Sequence, residues 1–433
     1  MTWKQTALRG AAEVALGRQR SPQHAEGPHM VRYLRAVNVK DGELALDDVM
    51  SMNFTPQEQR IFSLRPGDVL VTEGSGSLAS VGASAVWHGE IDGTVCFQNT
   101  LLRLRPRVDV DGRFLGWWAR SAFGSGDFAS IASGANIYHL SAERVRSLPI
   151  ELPPMDEQQR IADFLEEETS RISRMESLRE VQREILEERA AAVITEMLIP
   201  GSLSKPKGEW PWRWLPALPS DQSLGRLGYI CRLQTGLTVD GNRELSGDVV
   251  TRPYLRVANV QATHLALDSI TEITVPRYIA ARSTLRHGDV LMTEGGDLDK
   301  LGRGTVWRDE LPGCLHQNHV FALRPDRDKL DADYLALLTR SVHGRCYFES
   351  TGVKTTNLAS TNSSKILGFP IPLPPVERQR QLVREINQSL ELINQASSAI
   401  DKQVALLAER RQALITAAVT GQLDVTTARG AGV

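Results

Sequence analysis

Cysteine is scarce: Cys96, Cys231, Cys314 and Cys346 are scattered through 433 residues. None has the paired spacing of a zinc or redox site, so reduced thiols in a cytoplasmic protein are expected. No stretch approaches the ~18 uninterrupted apolar residues of a membrane span. The opening Met1-Thr2-Trp3-Lys4-Gln5 lacks a charged-then-apolar signal pattern, which argues against export. Catalytic signatures are missing too: there is no Gly-x-x-x-x-Gly-Lys loop, no Gly-x-Ser-x-Gly elbow and no His-Glu-x-x-His. Nor is there an Asn/Asp-Pro-Pro-Tyr/Phe element of the kind amino-methyltransferases use on a flipped base. The nine histidines are dispersed. His316 and His319 bracket Gln317-Asn318, but the matching Gln98-Asn99 is flanked by Phe97 and Thr100, so no shared histidine role is expected. These absences point to a non-catalytic chain with no cofactor or metal of its own.

A strong net charge is also lacking, the total being −2. Its distribution is uneven. Residues 151–200 hold six Lys/Arg against 13 Asp/Glu, a net of −7 that leaves +5 for the rest. The remainder favours Arg over Lys, a balance that permits a nucleic-acid partner without requiring one.

What the chain does have is an internal repeat. Tyr33-Leu34-Arg35 and Val37-Asn38-Val39 recur as Tyr254-Leu255-Arg256 and Ala258-Asn259-Val260. Leu44-Ala45-Leu46-Asp47, Gly67-Asp68-Val69-Leu70 and Thr72-Glu73-Gly74 recur, also 221 residues on, as Leu265-Ala266-Leu267-Asp268, Gly288-Asp289-Val290-Leu291 and Thr293-Glu294-Gly295. With small drifts, Val86-Trp87, Gln98-Asn99 and Leu104-Arg105-Pro106 return as Val306-Trp307, Gln317-Asn318 and Leu323-Arg324-Pro325. A whole unit has been duplicated.

Each copy ends in a long helical stretch. Leu152-Pro153-Pro154 leads into Met155 to Leu198, and Leu373-Pro374-Pro375 into Val376 to Thr420, with Gly201 and Gly421 as stops. Roughly 40 residues at ~1.5 Å each make a rod of about 60 Å, too long for an ordinary globular helix. In the second, Val383, Leu390, Val404 and Ala418 share one heptad position, interrupted by Ser397 and Arg411. Ile386, Ile393, Ile400, Leu407 and Leu414 fill its partner position. That seam is a coiled-coil signature. In the first, Leu165, Ile172, Leu186 and Val193 fit the seam, Arg179 interrupts it, and Met175, Leu178 and Ile185 suggest a shifted middle. The two helices are expected to pair antiparallel, which would send the globular parts to opposite ends of a rod with approximate two-fold symmetry. The alternative is that each packs on its own domain.

The globular parts read as α+β. Short strands are expected at Asp68 to Thr72, Thr94 to Phe97 and Leu101 to Leu104, and helices at Phe114 to Phe123 and Tyr334 to Val342. The expected organisation is a domain over 1–150, a helix over 151–200, a linker over 201–208, a second domain over 209–372, a helix over 373–423 and a disordered tail over 424–433. Little sequence precedes Leu8, whereas Glu209 to Tyr229 leads the second domain, so the first domain's N-terminal edge is expected to be less complete.

In this order the motifs resemble the specificity subunits of type I restriction–modification systems. The resemblance rests on Gly67-Asp68-Val69-Leu70, Gln98-Asn99 and Leu148-Pro149-Ile150-Glu151-Leu152-Pro153-Pro154 with Glu157-Gln158, and on their second copies. Phe369-Pro370-Ile371-Pro372-Leu373-Pro374-Pro375 and Leu414-Ile415-Thr416-Ala417-Ala418-Val419-Thr420-Gly421 are the most specific. Arg378 stands where the first copy has Glu157. The resemblance implies two target-recognition domains, each reading half of a split sequence in double-stranded DNA. The paired helices would set the gap and dock two modification (methyltransferase) subunits, and a restriction/translocase subunit would complete the assembly. S-adenosylmethionine, ATP and Mg²⁺ would then belong to the partners.

The candidate DNA-contacting residues are Arg18, Arg20, Arg35, Asn38, Ser75, Ser77, Asn136 and Tyr138 in the first half. In the second they are Thr238, Arg256, Asn259, Lys354, Thr355 and Asn357, with Lys365 nearby. Arg and Lys suit phosphates, while Arg, Asn and Gln can pair with base edges. Residues that discriminate bases should differ between the halves and scaffold residues should match. By that rule Arg35, Arg256 and both Gln-Asn pairs are open to structural roles. The rival from another class is a duplicated coiled-coil adaptor that binds proteins; a nuclease or methyltransferase acting alone is a third reading.

Overall fold

The computed structural model describes residues 3–134, 137–201, 203, 224–238, 247–261, 263–296, 301–354 and 359–425. Most of the linker, the lead 209–223 and the tail beyond 425 lie outside the described residues. The chain divides into two compact units, Met1–Arg179 with Asp401–Val433, and Glu180–Ile400. Both long helices, Met155–Leu198 and Val376–Val419, contribute a part to each unit.

The sheets repeat in topology as the motifs repeat in sequence. In the first unit Ala12–Leu16, Leu101–Pro106, Val69–Thr72 and Ser84–Val86 form an antiparallel sheet in that order. A second sheet orders Val95–Phe97, Met30–Leu34 and Met50–Asn53, its first pair parallel. The second unit has Cys231–Thr235, Val320–Pro325, Val290–Thr293 and Gly304–Val306 in one sheet. Its other sheet orders Leu315–His316, Val249–Leu255 and Thr271–Pro276, again with a parallel first pair.

Strand alternation builds the core. Val69 and Val71 pack with Leu102, Leu104, Leu115 and Trp118, while Leu70 between them packs with Ala85, Trp87 and Phe97 on the other face. The first domain's N-terminal edge is complete, contrary to expectation. Lys4–Ala7 pairs antiparallel with Pro149–Leu152, as Leu224–Arg226 does with Pro370–Pro372. The helix expected at Tyr334 to Val342 is Ala332–Arg340. It stops at Ser341, whose hydroxyl accepts from Gly344 N and caps the next helix, Val342–Thr351.

The shared motifs are the joints of this frame. Buried Asp68 accepts from Arg65 N at 2.7 Å and takes a bidentate pair from Arg105 at 2.8 and 2.7 Å. Buried Asp289 does the same with Arg286 N at 2.8 Å and Arg324 at 2.7 and 2.7 Å. Thus the Asp of Gly-Asp-Val-Leu is locked to the Arg of Leu-Arg-Pro, and neither charge is buried alone. Gln158 accepts from Asp111 N at 2.9 Å and donates to the carbonyls of Asp109 and Pro153. Gln379 repeats this with Asp331 N, also at 2.9 Å, and with Lys329 and Pro374. Each long helix is pinned at its start by a buried amide whose hydrogen bonds are satisfied.

The helices pair antiparallel within each unit. In the first, Ile161, Ala162 and Leu165 pack with Ile415, Ala418 and Val419 around Phe114 and Trp117. In the second, Ile194 and Leu198 share a core with Leu382, Val383, Ile386 and Leu390. The Ile-Thr closing phrases anchor the far ends: Thr416 accepts from Ser121 Oγ at 3.3 Å, and Thr195 accepts from Val342 N at 2.7 Å. The second helix buries or half-buries its expected seam throughout, and its interruption Arg411 reaches Glu176 at 2.5 Å.

The first helix corrects the expectation of a shifted middle. Met175, Leu178 and Ile185 are 36, 59 and 56% exposed. The line Leu165, Ile172, Arg179, Leu186 and Val193 stays buried or half-buried, so the register continues through the arginine. A long aliphatic stem can fill a seam position while its head reaches water.

The cysteines are free. Burial pushes the Cys96, Cys231 and Cys314 thiols up to about 12, as suits inert core residues. Among the described residues no helix is long and apolar enough to cross a membrane.

Candidate nucleic-acid interface

The shared Gln-Asn turn is the hub at which separate segments of each unit meet. In the first unit Gln98 N donates to Leu34 O, Asn99 N to Arg18 O and Glu73 N to Thr100 O, at 2.9, 3.0 and 2.9 Å. Thr100 Oγ1 accepts from Ala36 N at 3.1 Å. In the second unit Gln317 N, Asn318 N and Glu294 N donate to Leu255 O, Leu237 O and His319 O, at 2.8, 3.0 and 2.8 Å. The approach is so close that a Cβ on Gly17 or Gly236 would stand 2.2 Å from Gln98 O or Gln317 O, so only glycine fits.

These bonds bring Arg18, Arg35, Ser75 and Tyr138 to one region. Gly74–Ser75 pairs with Tyr138–His139, and Leu140 N donates to Glu73 O at 2.8 Å. In the second unit they gather Thr238, Arg256 and Lys354. Val353–Lys354 pairs with Ala359–Ser360, which pairs with Gly295–Gly296, and Thr361 N donates to Glu294 O at 2.8 Å. Arg20, Ser77, Thr238, Arg256 and Lys354 are exposed. Asn136, Thr355 and Asn357 lie outside the described residues. Lys365 is half-buried, in the short helix Ser363–Leu367.

Several candidates are committed to the fold. Asn38 is buried, accepts from Arg35 N at 3.0 Å and donates to Ala45 O and Asp48 O at 2.9 Å. Asn259 repeats this with Arg256 N, Ala266 O and Ser269 O, so both amides brace a turn rather than face a ligand. Arg18 is 7% exposed, pairs with Glu58 at 2.7 Å, donates to Asn53 O at 2.6 Å and lies over the Phe54 ring. Burial would raise the Glu58 carboxyl, but the bonds from Thr55 and the Arg18 charge outweigh it and hold it below the usual carboxylate range. Arg35 pairs with Asp48 at 2.5 Å, whereas at the matching place Arg256 has Ser269 and forms no ion pair among the described residues.

Two pairs escaped the sequence reading. His139 Nδ1 lies 3.2 Å from both carboxylate oxygens of Glu73, and His319 Nδ1 lies 2.5 Å from Glu294 Oε2. The glutamates belong to the shared Thr-Glu-Gly phrase, but the histidines come from unrelated positions, so no local pattern marks them. A cleft of about 550 Å³ in the first unit is lined by Leu44, Trp117, Arg113, Arg120 and Glu166. Its arginines are already engaged, Arg113 with Asp163 and Glu166 and Arg120 with Asp41 and the Trp117 ring. Among the described residues no group of three or more His, Cys, Asp or Glu could hold a metal ion.

Comparison with known proteins agrees with this layout. Residues 54–183 match the family described as the type I restriction modification DNA specificity domain. The chain is 23% identical over 397 residues to the EcoKI specificity subunit of Escherichia coli, covering 90% of this chain and 82% of that one. It is 22% identical over 401 residues to the StySPI specificity subunit of Salmonella potsdam, with the same coverage. A solved chain from a study of complex assembly in the type I R-M system superposes with a TM-score of 0.62 over 98% of both chains at 19% identity, a likeness of fold. With a duplicated α+β unit, antiparallel long helices and these relatives together, the chain is similar along most of its length to the specificity subunits of type I restriction–modification systems.

Proposed function

We propose that each unit reads one half of a bipartite site in double-stranded DNA, and that the antiparallel helices set the gap and dock two modification subunits. The observation that carries this reading is the identical hub in both units surrounded by different exposed side chains. A common scaffold with divergent surfaces suits two readers of unlike half-sites. Chemistry would then reside on partners: methyl transfer from S-adenosylmethionine on the modification subunits, and ATP- and Mg²⁺-dependent translocation on a restriction subunit. Such an assembly works on chromosomal or incoming DNA in the cytoplasm.

Mapping methylated positions genome-wide, in a host carrying the cognate subunits, tests this. The expected result is one motif of two specified blocks separated by a fixed unspecified gap. Adding one heptad to both helices should change the gap and leave both blocks the same. A single contiguous motif, or no motif, would reject the proposal.

A further inference from the structure

Glu73 and Glu294 occupy the same place: each follows a central strand, donates its N–H to the residue after Gln-Asn, and accepts from the segment that returns alongside. Two positions flank this glutamate. One is Thr100 in the first unit and His319 in the second, whose carbonyls accept from the glutamate N–H. The other is His139 in the first unit, paired with Gly74, and Ser360 in the second, paired with Gly295. A hydroxyl residue and an imidazole have therefore exchanged sides, yet each carboxylate holds one imidazole by Nδ1. The rings are 53 and 51% exposed. A pair so exposed adds at most about 1 kcal/mol to stability, so folding gives no reason to rebuild it from a different strand.

Resting on the DNA-reading function above, we propose that His139 and His319 each read a base edge in their own half-site. A carboxylate at Nδ1 fixes the tautomer with the proton on that nitrogen and leaves Nε2 as a directional acceptor. In the second unit Nε2 stands 3.3 Å from Asn318 Nδ2, a long contact that fits this tautomer and that a base amino group must displace to reach the single lone pair. In the first unit Nε2 has no partner among the described residues, and the ring lies over Gly74, where a Cβ would come within 3.0 Å of Nδ1. An acceptor of this kind suits the exocyclic amino group of adenine or cytosine in the major groove. A phosphate is the poorer partner, because the carboxylate behind the ring repels it. The rings stand on opposite flanks of corresponding glutamates, Glu73 and Glu294, so each comes from a different segment of its unit.

The test is selection from a pool of random-sequence duplexes by the full chain co-expressed with its modification subunits, comparing wild type with His139→Ala and His319→Ala. Each variant should loosen one base position in one block on the order of fivefold to tenfold, leaving the other block as an internal control of folding. Unchanged motifs in both variants, or a uniform loss of affinity across all sequences, would overturn the proposal. A wild-type complex that enriches no two-block motif would instead reject the DNA-reading function itself.

Discussion

At one place in the fold the two units solve the same packing problem differently. The first pairs buried Arg18 with half-buried Glu58 beside Phe54. In the second, Leu237 takes the place of Arg18, with its backbone bonded to the Gln-Asn turn in the same way. Ile279 takes the place of Glu58, and both residues pack on Tyr254, Val275 and Leu315. An ion pair in one unit thus stands where the other has an apolar contact, and half of either solution would leave a charge without its partner or a gap. By contrast, the Asp-Arg and Gln joints are the same in both units. The frame is fixed and the side chains hung on it vary.

The most disruptive way to break this comparison is to mix the two solutions. Glu58→Ile alone should destabilise the first unit by about 2 kcal/mol, because Arg18 loses its ion pair and the helix Pro56–Phe62 loses its capping bond from Thr55 N. Arg18→Leu with Glu58→Ile, the second unit's pairing, should recover the part of the loss that comes from Arg18, leaving about 1 kcal/mol for the missing Thr55–Glu58 cap. Chemical denaturation of the full chain, with hydrogen exchange reporting on each unit, measures both. A double variant as unstable as the single one would show that the two sites are not equivalent.

Acid should separate the units next. His343 is fully buried, accepts no compensating charge and is held down to about 4 by desolvation, with a bond to Pro370 O opposing. Burial lowers His316 likewise. An imidazole kept neutral in the fold takes up a proton on unfolding, so the second unit loses stability as pH falls through the ordinary histidine range toward about 4. For His343 the loss between pH 7 and 5 is about 2 kcal/mol. None of the described histidines of the first unit is buried, so its exchange rates should change little over that interval. Equal sensitivity in both units would refute the assignment.

The smallest effect sharpens the comparison at the surface. Ser269→Asp should give Arg256 the partner that Arg35 has in Asp48, changing stability by less than about 1 kcal/mol. It should also take one cation from the hub proposed to face DNA. The salt dependence of binding, plotted as log affinity against log salt, should then flatten by about one unit of slope.

Much of this organisation was legible in the sequence because the duplication repeats it at a constant offset. Gly-Asp-Val-Leu, Leu-Arg-Pro and the glutamines Gln158 and Gln379 stood out as shared and therefore as scaffold, but what they join required the fold. Asp68 meets Arg105 across adjacent strands, and Gln158 ties a helix to a loop 47 residues earlier. The candidate interface was less accessible. Asn38 and Asn259 carry base-reading amides by type, yet their bonds are spent within a turn. The imidazole exchange could not be read locally, since one ring reaches its glutamate across 66 residues and the other across 25. The expected shift in the first long helix failed for a related reason. Exposed Met175, Leu178 and Ile185 mimic a seam, while the seam itself runs through Arg179.

The reciprocal docking of the helix ends also sets an order of events at the ribosome. Ser121 waits for Thr416, made 295 residues later, and the apolar patch of Phe114, Trp117, Ile161 and Leu165 waits for Ile415 and Val419. Until then the N-terminal reader is an unclosed body with oily surface showing, and any nascent chain cut short before that point is a substrate for chaperones and proteases. The last turns of the final helix thereby act as a proofreading latch: only a chain translated through them can finish its first domain.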